Sequence, residues 1–137
     1  MLVPLTAACI AYVAGLYSEP VAALVTLRHI EGGQVGMVSH NTNGTYDLGP
    51  FQVNDTWIKT FATAWHRSPA ETYELIRDHG CANALAGGAI LRAAIDEAHG
   101  DIGVAIGWYA SHTPAIAARY RRRFAAELPK ALSGEFR

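Results

Sequence analysis

Charged residues are scarce in this chain. They make up 17% of its 137 residues, against about a quarter in typical soluble domains. The formal net charge is −1, so the chain as a whole gives no electrostatic reason to expect a nucleic-acid partner. Half of the residues are hydrophobic, which excludes intrinsic disorder. We therefore expect one domain, 1–137, that buries a core of its own.

No apolar run is long enough to span a membrane. The longest, residues 2–17, contains Thr6 and Gly15 and falls short of the roughly 20 residues that a spanning helix needs. No lysine or arginine precedes Arg28, so the run is not a convincing signal peptide either. The sequence leaves open whether a leader peptide has been removed.

Several chemical signatures are also missing. The six histidines show no metal-ligand spacing with cysteine or carboxylate residues. The sequence contains no phosphate-binding loop and no Gly-x-Ser-x-Gly nucleophile motif. We therefore expect neither a metal ion nor another cofactor.

Alanine, by contrast, is abundant: its 24 residues favour close-packed helices. Capping and helix-breaking residues divide the chain into seven predicted helices. A polar loop from Gln34 to Asp47 separates the second helix from the third, and Asn43-Gly44 is a hairpin signal within residues 34–53. The sequence thus predicts a mainly α fold with a small β excursion. The predicted helices are 6–17, 21–31, 55–65, 69–80, 82–99, 102–111 and 114–128.

An acid, Glu31, ends an otherwise apolar helix just before the polar loop. The helix dipole opposes a carboxylate there, and neighbouring apolar residues predict partial burial. Both effects raise the pKa of the carboxyl, which suits a general acid. The alternative is a solvated glutamate at a helix end, and helical periodicity alone favours that interpretation.

Five short stretches add to this pattern. They read RHIEGG at 28–33, NTNGTYDLGPFQVN at 41–54, CAN at 81–83, AGGAIL at 86–91 and AIGWY at 105–109. In this order they resemble the soluble lytic transglycosylase family. The resemblance is closest to its small single-domain branch, which accompanies bacterial type III and type IV secretion and conjugation machines. It covers nearly the whole chain and implies a lysozyme-like helical fold of the goose type.

The resemblance also implies an activity. The family cleaves the β-1,4 bond between N-acetylmuramic acid and N-acetylglucosamine in peptidoglycan, and one glutamate carries the proton. That glutamate corresponds to Glu31. It protonates the glycosidic oxygen and then accepts the proton of the muramyl C6 hydroxyl as that oxygen closes on C1. The product is a 1,6-anhydro sugar, and no water is consumed.

The implied substrate-binding residues lie in two of these stretches. The family's Gly-x-x-Gln turn corresponds to Gly49 and Gln52, with Phe51 as an apolar wall between them; Asn54 follows the turn. The family's late tyrosine corresponds to Tyr109, whose hydroxyl is expected near the catalytic carboxyl. Without the resemblance, Tyr109 is more simply a core tyrosine with a hydrogen-bonded hydroxyl.

The sequence departs from the family in three places. Gly32 follows the catalytic glutamate, where the family has serine, so a hydroxyl that could orient the acid is missing. Pro50 and Phe51 replace the usual Leu-Met of the glycine turn. Ala110-Ser111-His112 follows the tyrosine, where asparagine and glycine are common. These changes affect the sugar subsites more than the chemistry.

Other notable residues receive structural interpretations. Trp57, Trp65 and Trp108 could stack on sugars, but we expect them in the core. The basic run 119–123 reads as the solvated face of the last helix, with contact to an acidic wall polymer or a secretion partner as the alternative. Asp47, and after it Asp55, could supply the second carboxylate of a hydrolytic muramidase. Asp47 is more simply a loop residue that binds backbone amides.

The two cysteines, Cys9 and Cys81, could be inert buried thiols. The secretion-associated branch carries cysteines at corresponding places, and this implies a disulfide between them. An even cysteine count and an extracytoplasmic substrate agree with that pairing. The resemblance therefore places the protein in the periplasm.

The leading hypothesis is a peptidoglycan lytic transglycosylase that remodels the wall locally during assembly of a secretion or conjugation apparatus. Its implied partners are peptidoglycan glycan strands and components of such a machine, and we expect a monomer. A hydrolytic muramidase is the alternative enzyme. A non-catalytic wall-binding assembly module is the third hypothesis, and the joint presence of Glu31, Gln52 and Tyr109 argues against it.

Overall fold

Seven α-helices dominate the computed structural model, which describes residues 1–135, and helix accounts for 66% of the chain. The mainly α prediction is therefore confirmed. Within residues 1–135, no helix is both long and apolar enough to cross a membrane. The helices are α1 (Ala7–Tyr17), α2 (Val21–Glu31), α3 (Ile58–Trp65), α4 (Pro69–Asp78), α5 (Gly80–Glu97), α6 (Ile102–Ala110) and α7 (Pro114–Leu132).

Capping residues set several of these boundaries. The Thr6 hydroxyl accepts a hydrogen bond from the backbone N–H of Cys9 and so begins α1. Ser68 and Glu71 form a complete capping box at the start of α4. Asn54 does cap the segment that follows it, but that segment starts as a 3-10 turn, Asp55–Trp57, before α3 begins.

Two other boundaries differ from the prediction. Gly80 was expected to end the fourth helix, but it opens α5. A Cβ at Gly80 would lie 2.3 Å from the backbone nitrogen of Leu5, so the glycine lets the N-terminal segment approach closely. The last helix was expected to end at Leu128 and runs on through Pro129, because a proline there removes only one helical hydrogen bond on an exposed face.

The polar loop folds into a three-stranded antiparallel sheet. The predicted hairpin is present: β1 (Val38–His40) pairs with β2 (Tyr46–Leu48), and Gly44 in the turn between them has φ +86°. A third strand, β3 (Val53–Asn54), pairs with the other edge of β2. The alternation of polar Gln52 and Asn54 with apolar Phe51 and Val53 is typical of a short extended segment, and the strand agrees with that interpretation.

Helix α5 packs against α1, α4 and α6 and runs through the core. Its two central glycines explain the AGGAIL stretch. A Cβ at Gly87 would lie 2.9 Å from the Phe51 side chain, and one at Gly88 would lie 2.5 Å from Val13. The absent side chains therefore let neighbouring elements pack onto the helix. The largest fully buried hydrophobic side chains are Phe51, Leu24, Leu27, Leu48, Ile76, Leu91, Val13 and Val53.

A disulfide joins Cys9 on α1 to Cys81 on α5, with the Cα atoms 5.7 Å apart. The predicted pairing is therefore confirmed. The bond links positions 72 residues apart in sequence. Closing so long a loop restricts the unfolded chain and stabilises the fold by about 4 kcal/mol on the chain-entropy argument.

Candidate functional site

A cleft of about 650 Å³ opens between the sheet and the helices, a volume suited to a small-molecule or oligosaccharide ligand. Its lining is rich in amide, hydroxyl and aromatic side chains, which suits the hydroxyl and acetamido groups and the apolar ring faces of sugars. The lining residues are Glu31, Asn41, Asn43, Thr45, Asp47, Gln52, Val53, Asn54, Thr56, Trp57, Ile90, Trp108, Tyr109, Ala110, Ser111, His112 and Tyr120.

Glu31 lies in this cleft at the last position of α2. The helix stops there because Gly32 adopts the left-handed conformation, with φ +67°, and caps it. That conformation favours glycine over any residue with a side chain, which gives a structural reason for Gly32 where the family has serine. The Glu31 carboxyl accepts a hydrogen bond of 2.5 Å at Oε2 from the Tyr120 hydroxyl on α7.

The pKa of Glu31 is raised from 4.5 to about 7, as the sequence predicted in direction. Burial is the main cause, and the charge of Asp47 adds to it. The hydrogen bond from Tyr120 and the charge of Arg123 act in the opposite direction, because both favour the carboxylate. The carboxyl is thus held near the midpoint between its two protonation states at neutral pH, where a group can both give and take a proton.

The glycine turn is held rigidly beside the acid. Gln52 has a positive φ of +50°, and its side-chain amide donates to the carbonyl of Gly49 at 2.9 Å. Gly33 packs against both: a Cβ there would lie 1.9 Å from the Gly49 carbonyl oxygen and 2.7 Å from Gln52 Nε2. Gln52 lines the cleft where the resemblance implies a sugar contact.

Asn83, a residue of the core, holds this turn in place through side-chain hydrogen bonds. Its side chain is fully buried; it donates to the carbonyls of Leu48 and Ile76 and accepts from the N–H of Phe51. Gly49 leaves room for it, since a Cβ there would lie 2.4 Å from Asn83 Nδ2. The glycine at this position therefore allows the close approach of the Asn83 side chain to the backbone of the turn.

The expectation that Phe51 forms a substrate wall is wrong. Its side chain is fully buried against α5 and lies outside the cleft. An apolar residue within a tight turn can face either the core or the cleft, and the absence of a side chain at Gly87 draws Phe51 into the core. Only its backbone serves the site, because its carbonyl accepts a hydrogen bond from the Tyr109 hydroxyl at 2.9 Å.

Tyr109 lines the cleft as expected, but its hydroxyl is bonded to Phe51 and not to the acid. Burial raises the pKa of Tyr109 well above its usual value, and the charges of Glu31 and Asp47 raise it further. Tyr109 therefore stays neutral and joins α6 to the glycine turn. The hydroxyl that contacts Glu31 belongs to Tyr120 instead.

Asn54 and Asp47 lie side by side on the sheet. Asn54 Nδ2 donates to Asp47 Oδ1 at 2.9 Å and to the Thr45 hydroxyl at 2.9 Å, while its Oδ1 caps the 3-10 turn by accepting from the N–H of Thr56. Both residues line the cleft. The side chain of Asn54 therefore organises the polar wall, and Asp47 presents a carboxylate to the same cavity as Glu31.

Sequence reasoning missed several lining residues. Tyr120 was hidden within a run of arginines, although it lies on the same helical face as buried Ala117 and partly buried Phe124. Trp57 and Trp108 line the cleft as well as packing on the core, and the Trp108 ring stacks on His112 with centroids 4.8 Å apart. An aromatic residue in a small domain gives no sign in the sequence of which of these roles it has.

No cluster of three or more histidine, cysteine or acidic residues in the described part of the chain could hold a metal ion. Comparison of the chain with family models gives no match, and comparison with curated proteins gives no significant match. The interpretation of the cleft therefore depends on its geometry and on the resemblance of its sequence stretches.

Proposed function

We propose that the protein is a peptidoglycan lytic transglycosylase that cleaves the β-1,4 bond between N-acetylmuramic acid and N-acetylglucosamine. The observation that carries the proposal is the Glu31 carboxyl, which faces a polar, aromatic-lined cleft with its pKa raised to about 7. A single carboxyl in this state can serve as acid and then as base.

The proposed reaction has two proton transfers, both at Glu31. The protonated carboxyl gives its proton to the glycosidic oxygen as the bond from that oxygen to C1 breaks. The muramyl C6 oxygen then bonds to C1, and its proton passes to the Glu31 carboxylate. The Tyr120 hydroxyl donates to Oε2 and stabilises the carboxylate between these steps. Glu31 ends protonated, as it began, and the product is the 1,6-anhydro sugar.

Position in the cell follows from the substrate. Peptidoglycan lies outside the cytoplasmic membrane, so the proposed enzyme acts in the periplasm after export. The Cys9–Cys81 disulfide is compatible with an oxidising compartment. In the proposed role the enzyme opens the wall locally for a secretion or conjugation apparatus.

Hydrolysis by a muramidase is the second candidate, and one observation favours it. Asp47 lines the same cleft as Glu31, and its charge raises the pKa of the acid. A second carboxylate so placed could stabilise an oxocarbenium ion or direct a water molecule. In the transglycosylase mechanism Asp47 takes no part in the chemistry. Its carboxylate accepts a hydrogen bond from Asn54 and so helps to order the polar wall of the cleft.

The test is to incubate purified peptidoglycan with the protein and identify the released muropeptides by mass spectrometry. We expect 1,6-anhydromuramyl ends, which are lighter than hydrolysed ends by one water. Products with reducing muramyl ends would assign the protein to the muramidases. Release of no product, with binding retained, would make it a wall-binding module. The Glu31→Gln protein is the control for contaminating enzymes.

A further inference from the structure

Helix α7 carries exposed arginines without partners. Three arginines outside α7 form ion pairs: Arg67 with Glu71, Arg77 with Asp78 and Arg92 with Asp96. Arg119, Arg122 and Arg123 are exposed, and none of the three forms an ion pair or hydrogen bond within residues 1–135. Like charges spaced i, i+4 on a helix repel, so Arg119 and Arg123 lower helix stability where no anion lies between them.

Arg123 lies on the flank of α7 that borders the cleft, and Arg119 is its neighbour one turn earlier on the helix. Tyr120 fixes the orientation of the helix, because its hydroxyl contacts Glu31. Arg123 follows one turn later on the same side, near enough for its charge to lower the pKa of both Glu31 and Tyr120. Arg119 lies one turn before Arg123 and next to Tyr120. Arg122, two residues from Tyr120, lies on the opposite side of the helix.

The chemistry of this flank differs from that of the cleft wall. The wall offers neutral amides and hydroxyls from residues such as Asn41, Asn54 and Ser111, which suit a neutral sugar. Guanidinium groups suit carboxylates, which they bind through two parallel hydrogen bonds. In peptidoglycan the sugars themselves are neutral, and the carboxylates belong to the peptide stems on the muramyl lactyl groups.

We propose that Arg119 and Arg123 bind a carboxylate of a peptide stem next to the scissile bond, so that the site prefers glycan strands that carry stems. This inference depends on the proposed function for its substrate. It goes further in assigning stem recognition to one side of α7. Arg123 acts here as a specificity residue, and its effect on the pKa of Glu31 is common to strands with and without stems.

The test is a binding titration that does not need turnover. The Glu31→Gln protein is titrated with soluble uncrosslinked glycan strands of two kinds, and the fluorescence of the tryptophans in the cleft is followed. One kind bears stems; the other is freed of stems by an amidase, and the lactyl carboxylates so exposed are then converted to neutral methylamides. With Arg119 and Arg123 intact, this protein should bind stem-bearing strands at least tenfold more tightly than stem-free strands. Arg119→Gln with Arg123→Gln should remove that preference, and Arg122→Gln, the matched control, should keep it.

Salt provides a second readout, because ion pairs at an exposed surface are screened. The preference for stem-bearing strands should shrink as ionic strength rises, whereas binding of stem-free strands should change little. Equal weakening of both strand types by the arginine substitutions would overturn the proposal. If the arginine substitutions change the binding of neither strand type, the proposal is also overturned, and the two arginines do not contact the glycan substrate.

The inference and the proposed function fail differently. If the enzyme assignment is wrong, the protein with Glu31 intact releases no product, or only products with reducing ends, from either strand type. If stem recognition is wrong, product forms, but the ratio of kcat/KM for the two strand types does not respond to Arg119→Gln and Arg123→Gln.

Discussion

Glu19 lies two residues before helix α2 and Glu31 is the last residue of that helix, and both carboxyls keep their protons to unusually high pH. Burial raises the pKa of Glu19 to about 8 and that of Glu31 to about 7, from 4.5 in each case. Their surroundings differ. Glu19 is 6% exposed, and neither of its carboxyl oxygens has a hydrogen-bond partner within residues 1–135. Glu31 opens into the cleft and accepts a hydrogen bond from Tyr120.

Glu19 is enclosed between two helices. Its Oε1 lies 3.3 Å from where a Cβ at Gly88 would be, in the space between α1 and α5. Arg92 is near enough for its charge to lower the pKa of Glu19, but its guanidinium donates to the Tyr17 carbonyl and to Asp96 instead. A raised pKa therefore marks burial in both residues. What distinguishes Glu31 is access to a ligand and a donor that stabilises its ionised form.

The largest expected effect separates the two acids in activity. Glu31→Gln should lower peptidoglycan cleavage by about 10²–10⁴-fold or more, because an amide cannot deliver the proton. Glu19→Gln, the matched substitution, should leave cleavage near the wild-type rate at neutral pH. The rates are compared by release of soluble muropeptides, with circular dichroism to confirm both folds. Residual activity of Glu31→Gln within tenfold of wild type would mean that another group is the acid.

The disulfide should matter to the region of Glu19 more than to the cleft. Cys9 and Cys81 join α1 to α5, the two helices that enclose Glu19. Reduction, or the pair of substitutions Cys9→Ser and Cys81→Ser, should lower the free energy of unfolding by up to about 4 kcal/mol. Denaturant titration measures this, and the domain should still fold at room temperature.

The contrast would be weakened if loss of the disulfide shifted the pH dependence of cleavage, because that would tie Glu31 to the same packing as Glu19. Recovery of two free thiols from protein isolated from the periplasm would contradict the disulfide itself. Peptide mapping under non-reducing conditions is the check.

The pH dependence of the free energy of unfolding should reveal the raised pKa of Glu19. The folded protein holds the Glu19 proton more tightly than the unfolded chain does. This contribution to stability is complete below about pH 4.5 and is lost as pH rises through 8. Glu31 contributes with the same sign through its pKa of about 7. Glu19→Gln should therefore be more stable than wild type at pH 9, by roughly 1–3 kcal/mol, and nearly equal at pH 5.

Urea titrations at the two pH values measure this difference. Substitution of the exposed Glu74 by glutamine serves as the control, and it should change stability equally little at both. A Glu19→Gln protein that is less stable at pH 9 would show that the carboxylate has a partner in solution.

Tyr120→Phe should produce an intermediate effect on the site. It removes the hydrogen bond that favours the Glu31 carboxylate, so the pKa of Glu31 should rise and the alkaline limb of the pH–rate profile should move to higher pH. The maximal rate should fall by about 10- to 150-fold, which corresponds to the roughly 1.5–3 kcal/mol of one hydrogen bond to a charged group. Tyr109→Phe should leave the alkaline limb at the same pH, because the Tyr109 hydroxyl donates to the backbone carbonyl of Phe51 and not to Glu31. A limb that moves equally in both variants would remove the special role of Tyr120.

The smallest expected effect concerns the second carboxylate of the cleft. Asp47→Asn should leave cleavage within a few-fold of wild type, roughly the cost of loosening its bond to Asn54. Because the charge of Asp47 raises the pKa of Glu31, the alkaline limb should shift slightly to lower pH. An inactive Asp47→Asn protein that still folds would instead support the muramidase mechanism.

Much of the helical architecture could be predicted from the sequence, because several helix starts carry a local signal. Ser68 with Glu71 is such a signal, and the two residues form the capping box that begins α4. Boundaries failed where tertiary contacts decide. Gly80 is a helix breaker by local rules, yet it begins α5 because the N-terminal segment packs against it.

The candidate site was predicted in part. Glu31 could be found because its end-of-helix position and apolar neighbours already suggest burial. Tyr120 and Asn83 could not, since they act over 89 and 32 residues of sequence, on Glu31 and Phe51 respectively. The direction in which Phe51 points depends on the missing side chain at Gly87, and no local pattern reports that.

The most direct test of the account is the titration of individual carboxyls by ¹³C NMR in glutamate-labelled protein. The central claim is that Glu31 keeps its proton to near neutrality while open to a ligand. The account predicts a midpoint near 7 for Glu31, which changes when a soluble glycan fragment is added, and a midpoint near 8 for Glu19, which does not. A Glu31 midpoint near 4.5, or one that ignores the glycan while that of Glu19 responds, would contradict it.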